Sequence, residues 1–334
     1  MATTNTEVKN IIVIGASAGG LTAVTKLFAN FTTDMDAAFF VVIHLSPISK
    51  SDAIIKIIDN NTALKCLVPV DGQQIENGTI YLAPANRHLL LEKGKIHITR
   101  GAGENHYRPS IDVLFRSAAA AYSACVIGIV LTGLLDDGTS GMDAIKRSGG
   151  KCIVQEPEEA LFDDMPISVM NNIDVDYSLP IAEIKNVLID LITGPVCVEK
   201  EVPADVRLEA KIAKRVTSDI DETSKLGDFT ALTCPECGGV MVKVDENQSR
   251  YRCYTGHTFT ERFLETEQLK RIEESVWVSI RMMEERKHLL LNMNSDINSR
   301  FDLDAARKDE RIKSMQKHID TLRSALLTLD PDRD

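Results

Sequence analysis

No stretch of this chain approaches the ~20 uninterrupted apolar residues that a membrane span requires. The first ten residues, Met-Ala-Thr-Thr-Asn-Thr-Glu-Val-Lys-Asn, are polar and hold no apolar signal-peptide segment. The expectation is a cytoplasmic protein without membrane insertion. Positive charge is not in excess: 49 acidic residues against 38 basic ones give a formal net charge of −11. Phosphate binding wants a basic face, so nucleic acid is not an expected partner. Cysteine is sparse, and seven in 334 residues make no disulfide framework. Cys66, Cys125, Cys152 and Cys197 are scattered and read as buried thiols. No internal repeat or low-complexity tract is present. The Gly-Lys-Ser/Thr ending of a phosphate loop is missing as well.

What is present is enough for a core. Apolar residues make up 44% of the chain, and the length suggests about two domains. Ile11 to Ile14 is a β-branched run that meets Gly15, after which Leu21 to Asn30 reads as a helix. Ala37 to Ile43 is a second apolar run, ending at His44. A helix over Ser51 to Ile58, a strand over Thr79 to Ala83 and a hairpin over 88–99 follow. Ile111 to Tyr122 reads as a helix with Pro109-Ser110 as its start signal. Cys125 to Leu131 is apolar throughout, as in a strand covered on both faces. Ser140 to Arg147, Lys151 to Gln155 and Ile181 to Ile192 continue the alternation. Such alternation predicts an α/β fold with a doubly wound, mostly parallel sheet over residues 1–195.

Parallel sheets of this kind place their sites just outside the carboxyl ends of the strands. Three strong strands here end at Ser17, His44 and the Asp136-Asp137-Gly138 loop. A serine needs a base to become nucleophilic, and the base needs a third group to orient it. Gly15-Ala16-Ser17-Ala18-Gly19 fits a G-x-S-x-G elbow. The helix after it offers unpaired N–H groups suited to an oxyanion, those of Ala18 and Gly19 with Leu134 from the late loop. Each residue alone has a plainer reading. Ser17 could cap a helix, His44 could be structural, and Asp137 could belong to a turn. His88 and His106 are rival bases. Asp136 and Asp137 could also hold a divalent cation. The conjunction at three strand ends favours a serine hydrolase. A phosphate-binding reading is weaker: the glycines do not form G-x-G-x-x-G, and His44 occupies the place of a ribose-binding acid.

Beyond about residue 195 the composition turns polar, and 196–230 reads as a linker with one helical stretch near Val206 to Val216. Cys234-x2-Cys237 and Cys253-x3-His257, fifteen residues apart, have the spacing of a closed Cys3His zinc site. Four protein ligands leave no open position, so such a zinc would be structural, and no cofactor is expected for catalysis. Val240 to Val244 and Arg250 to Arg252 look like a small hairpin. Two helices follow, separated by Asn292 to Asp302, and read as an antiparallel hairpin or a partner-binding element. Trp277 reads as core or as an interface anchor, core being the safer of the two. Residues 231–334 thus form a zinc-binding segment with C-terminal helices.

From Ile11 to Ile192 the chain resembles the catalytic domain of the CheB protein-glutamate methylesterases. The resemblance rests on Ile14 to Gly20, Val42-Ile43-His44, Tyr81 to Pro84, Arg87-His88-Leu89, Arg108 to Phe115 and Leu131 to Gly138, in that order, with Met165-Pro166 beyond. It implies a triad of Ser17, His44 and Asp137. It also implies hydrolysis of glutamate methyl esters on chemoreceptor-like proteins through an acyl-enzyme, with some glutamine deamidation. The partner would be a methylated receptor or another methylated protein. The family usually has threonine after the serine and Met-Gly in the late loop; here Ala18 and Leu134-Leu135 stand there. The chemotaxis enzymes usually carry a receiver domain first. Only ten residues precede the first strand, so control by that route is not expected. Other readings are a serine esterase or amidase with a different substrate, or a silent scaffold of the same fold.

Overall fold

The computed structural model describes residues 8, 10–29, 31, 35–195, 197–245, 250–292 and 302–328. It divides into two units, Met1–Glu261 and Arg262–Asp334.

The first unit is built on a seven-stranded sheet, all of whose pairings are parallel. Its strands are β1 (Asn10–Ala16), β2 (Ala37–Ile43), β3 (Lys65–Leu67), β4 (Thr79–Leu82), a fifth at Val126–Val130, a sixth at Lys151–Gln155 and a seventh at Tyr177–Leu179. A separate hairpin, β5 (His88–Glu92) and β6 (Lys95–Thr99), intervenes, so those last three are β7, β8 and β9. The order is β3-β4-β2-β1-β7-β8-β9. The chain winds outward from β1 in both directions, which leaves a crevice at the carboxyl ends of β1 and β7.

Helices α1 (Gly20–Phe28), α2 (Ser51–Asp59), α3 (Ile111–Tyr122), α4 (Thr139–Arg147), α5 (Asp164–Asn172) and α6 (Ile181–Thr193) connect the strands. Alternate residues of β1 face opposite layers. Ile11 and Val13 pack with Phe115 and Ile145 from α3 and α4, while Ile12 and Ile14 pack with Leu27 and Leu188 from α1 and α6. Burial on both faces explains why these strands read as unbroken apolar runs. The parallel α/β reading stands. The short strands β3 and β9 and helix α5 were not anticipated; the two strands are only three residues each and incompletely buried.

Two expectations need correction. Cys125 and Cys197 are not thiols but a disulfide, with Cα atoms 5.3 Å apart across 72 residues of sequence. The segment after α6 folds back there, where the Lys200 N–H also donates to Ser123 Oγ at 2.8 Å. Nothing in the local sequence marks that return. Residues 196–230, in turn, are not an open linker. Helix α7 (Ala204–Arg215) buries Val206, Glu209 and Ile212, and a short α8 (Ile220–Thr223) follows. The two segments expected as a small hairpin, β11 (Val240–Asp245) and β12 (Arg250–Cys253), do pair antiparallel, and β10 (Phe229–Thr233) and β13 (Thr258–Thr260) extend them to a four-stranded antiparallel sheet. It belongs to the same unit as the parallel sheet.

A buried ionic cluster joins these parts. Arg250 from β12 makes a bidentate pair with Glu209 of α7, at 2.6 and 2.8 Å. Arg252 reaches Glu104 at 3.1 Å and Glu209 at 3.4 Å. Arg116 of α3 pairs with Glu104 and lies 3.5 Å from Glu209. Burial would raise both glutamate carboxyls, but the surrounding arginines hold them below the usual carboxylate range.

In the second unit, α9 (Glu261–Asn292) and α10 (Asp302–Thr328) run antiparallel. Lys287 Nζ donates to Gln316 at 2.8 Å and Arg323 to Glu284 at 3.0 Å. Most of the expected 292–302 connection lies outside the described residues. Trp277 is not core: it is 55% exposed, with its indole N–H on Glu273 at 3.2 Å. No helix among the described residues is long and apolar enough to cross a membrane.

Breaking one side of a buried ion pair strands the other charge. Glu209→Gln should therefore lower stability by about 3–5 kcal/mol, read as a shifted urea midpoint. Because the Glu209 carboxyl is depressed, its contribution is present at neutral pH and fades as pH falls below the usual carboxylate range.

Candidate active site

Strand β1 delivers the chain into Ser17, and α1 begins three residues later. Gly19 makes that turn possible with φ +75°, a left-handed conformation costly for other residues. The Ser17 N–H donates to Thr132 O at 3.0 Å, which ties the elbow to the loop after β7. That loop in turn is anchored by the Thr132 N–H on Gln155 Oε1 at 2.9 Å. Gly133 packs so closely that a Cβ there would lie 2.7 Å from Ser17 Cβ.

His44 follows β2, which pairs with β1. Its Nδ1 lies 3.1 Å from Ser17 Oγ, and its Nε2 lies 2.8 Å from Asp137 Oδ2. With Nε2–H donating to the carboxylate, the Nδ1 lone pair faces the serine hydroxyl. The imidazole is 4% exposed and Asp137 is fully buried. The Tyr107 ring stacks on the imidazole, centroids 3.5 Å apart and 6° from parallel. Burial and the charges of Asp137 and Asp136 raise the Tyr107 phenol, so it stays neutral.

Asp137 sits at the N-terminus of α3. It accepts from Ser110 Oγ at 3.0 Å, Ile111 N–H at 2.8 Å and Asp112 N–H at 3.3 Å. Burial alone would raise its carboxyl; the His44 bond and these donors hold it low instead. Asp112 answers from α3 by accepting the Gly138 and Gly141 N–H groups at 3.0 and 2.6 Å, at the start of α4. Burial, with the Asp137 charge adding, pushes the Asp112 carboxyl up to about 8.

The three strand-end residues expected to act together are thus in contact. Of the rival bases, His88 is buried with Nε2 on Ala102 O at 2.9 Å and Nδ1 accepting the Ser110 N–H at 3.3 Å. Burial lowers its basicity. His106 points to Glu236 at 2.9 Å. Asp136 and Asp137 form no metal cluster among the described residues. The Ser17 N–H is engaged, which leaves Ala18 and Gly19 as the elbow's donors. Tyr107, Ser110 and Thr132 were not foreseen as site residues; only Ser110 carried a signal, as a helix start.

The other expected cluster also assembles. Ligand atoms of Cys234, Cys237, Cys253 and His257 all lie within 4.8 Å of one another. Each pair sits on a tight turn. The Gly238 N–H donates to Cys234 O at 2.8 Å, and the Gly256 N–H to Cys253 O at 2.9 Å. His257 turns Nδ1 toward Cys253 Sγ at 3.6 Å and Nε2 toward Glu236 at 3.0 Å. A carboxylate behind a histidine ligand is the usual outer support of a zinc site, so these residues fit the metal.

Fold and geometry define an α/β protein with a serine–histidine–aspartate constellation at the carboxyl edge of its sheet. A family model described as CheB methylesterase matches residues 12–188, and the chain belongs to that family. A protein-glutamate methylesterase/protein-glutamine glutaminase 2 of Methanosarcina acetivorans is 35% identical over 192 residues, 55% of this chain and 54% of the relative. The protein of that name from Methanosarcina mazei is 32% identical over 195 residues, covering 56% and 53%. The chain therefore spans about half the length of these curated relatives. A Leptospira interrogans relative is 36% identical over 181 residues and is covered over 93% of its length. The crystal structure of the Thermotoga maritima CheB methylesterase catalytic domain superposes with a TM-score of 0.53 at 30% identity, covering 55% of this chain and 98% of that one.

A raised carboxyl reverses the usual acid linkage. Between its ordinary value of 3.8 and about 8, Asp112 holds a proton in the folded chain and loses it on unfolding. Its contribution to stability should thus fall as pH rises through that window and then level off. Asp112→Asn keeps an acceptor for both glycine N–H groups and should flatten this slope in denaturant midpoints measured across the window.

Proposed function

We propose that this protein is a protein-glutamate methylesterase acting on methylated receptor-like proteins, with Ser17, His44 and Asp137 as its catalytic residues. The observation that carries it is the continuous Ser17–His44–Asp137 contact at 3.1 and 2.8 Å, within the matched family region. The names of the relatives support the substrate class.

Ser17 Oγ attacks the γ-carbonyl of a glutamate methyl ester as its proton passes to His44 Nδ1. Asp137, through Nε2–H, holds the ring and stabilises the imidazolium. The developing oxyanion takes the Ala18 N–H, with Gly19 and Leu134 beside it and the α1 N-terminus adding favourable potential. His44 returns the proton to the leaving methoxide, and methanol departs. Water, deprotonated by His44, then cleaves the acyl-enzyme and regenerates Ser17. A glutamine side chain would follow the same course with ammonia leaving.

Cys234, Cys237, Cys253 and His257 would hold a structural zinc. Its chemistry there would be to cross-link the turn between β10 and β11 to the turn between β12 and β13. The two-helix unit is read as a docking element, which its exposed Trp277, Met282, Leu289 and Leu291 support. We read the reaction as cytoplasmic, a reading that the polar first ten residues support.

A fluorophosphonate probe should label wild-type protein at Ser17 and leave Ser17→Ala unlabelled; equal labelling of both would sink the hydrolase reading. Methanol release from methyl-labelled receptor membranes separates methylesterase from other esterases. Asp137→Asn should lower that release by about 10⁴-fold, since it disturbs the histidine tautomer. Metal analysis should find about one zinc per chain; purified wild-type protein without zinc would refute the site.

A further inference from the structure

One turn touches both clusters. Residues Glu104 to Tyr107 close on themselves, with the Tyr107 N–H on Glu104 O at 2.9 Å and the Glu104 N–H on Tyr107 O at 3.3 Å. Asn105 and His106 take φ values of 48° and 64°. Two successive non-glycine residues in the left-handed region persist only where the surroundings enforce them.

The cysteine segment supplies that enforcement. The Asn105 N–H donates to Thr258 O at 2.8 Å, and Asn105 Oδ1 accepts the Thr260 N–H at 3.2 Å. Glu104 pairs in parallel register with Thr258 and carries the Arg252 guanidinium at 3.1 Å. Glu236 bridges His106 at 2.9 Å and His257 at 3.0 Å. The next residue after His106 is Tyr107, whose ring lies flat on His44.

We infer that the Cys3His segment positions the catalytic base: metal binding fixes the Glu104–Tyr107 turn, and the turn holds Tyr107 against His44. Tyr107 is thus a positioning residue. It limits ring rotation of an imidazole whose two nitrogens must face Ser17 and Asp137 at once. The chain of contacts is short. It runs from His257 through Glu236 to His106, and from there through one peptide bond to the stacked ring. The inference rests on the triad and zinc readings above, but it adds what neither contains, a coupling between the two clusters.

The test compares zinc-loaded full-length protein with protein stripped by a chelator. Three quantities are read: bound zinc, the rate at which a small fluorophosphonate labels Ser17, and amide exchange along the chain. Stripping should slow labelling by up to ~10²-fold, the scale of a misplaced catalytic group. Exchange should rise at Asn105 and Tyr107 and stay unchanged in β1 and β7. Tyr107→Ala should label slowly with zinc bound and lose nothing further on stripping, while Tyr107→Phe should keep both the rate and its zinc dependence. Glu236→Gln should weaken zinc by about 10–100-fold and raise exchange in the same turn.

Three results of the stripping comparison would overturn the coupling. One is an unchanged labelling rate after stripping. Another is multiplied losses from stripping and Tyr107→Ala. The third is exchange that rises equally in β1 and β7, which would make the segment a general prop. The parent readings fail separately: the triad reading if zinc-loaded wild type is not labelled, and the metal reading if no zinc is found. In either case, unchanged exchange at Asn105 and Tyr107 in Glu236→Gln would still refute the clamp.

Discussion

The buried carboxylate of Asp137 is the interaction on which this site depends. A charge removed from water is costly unless it is met by donors. Here the imidazole, a serine hydroxyl and two backbone N–H groups of α3 meet it. The exchange is reciprocal, because Asp112 of α3 satisfies the first turn of α4, the helix that Asp137 introduces. Two helices thus cap one another through carboxyl groups, Asp137 from the loop before α4 and Asp112 from the first turn of α3. The loop carrying Asp137 cannot shift without unsatisfying both.

That reciprocity explains the parts of the site that were legible. Strands with both faces buried must be continuously apolar, and a polar residue at the end of such a run stands out. Ser17, His44 and Asp137 were visible for that reason, and so was the parallel sheet that aligns them. The cysteine knuckles were visible because ligand spacing is local. What was hidden depends on contacts across long stretches of chain. Tyr107 lies in a polar stretch without periodicity. The Arg252–Glu104 pair spans 148 positions, and Cys125 meets Cys197 across 72. Trp277 misled because an aromatic residue in a helical repeat usually faces a core, whereas a pair of helices offers little interior to bury it.

The polar stretch after α6 shows the same limit from another side. Its charges looked like those of a solvated linker. Glu209 is instead buried on α7 against Arg250, Arg252 and Arg116. Sequence shows that a residue is charged but not whether a counter-charge waits elsewhere. The ionic cluster therefore makes α7 and the antiparallel sheet extensions of the parallel-sheet unit, where composition alone suggested a boundary.

The orientation of His44 carries a mechanical consequence. The nitrogen facing Ser17 is Nδ1, bonded to the carbon that joins the ring to the side chain; the distal nitrogen is the one secured by Asp137. The reacting atom thus sits on the short arm of a lever whose long arm is pinned. A swing about the Cα–Cβ bond displaces Nδ1, the nitrogen nearer that bond, less than it would displace Nε2. Such a ring hands its proton across a nearly stationary gap, so accuracy in the transfer comes from where the ring is held as much as from how tightly.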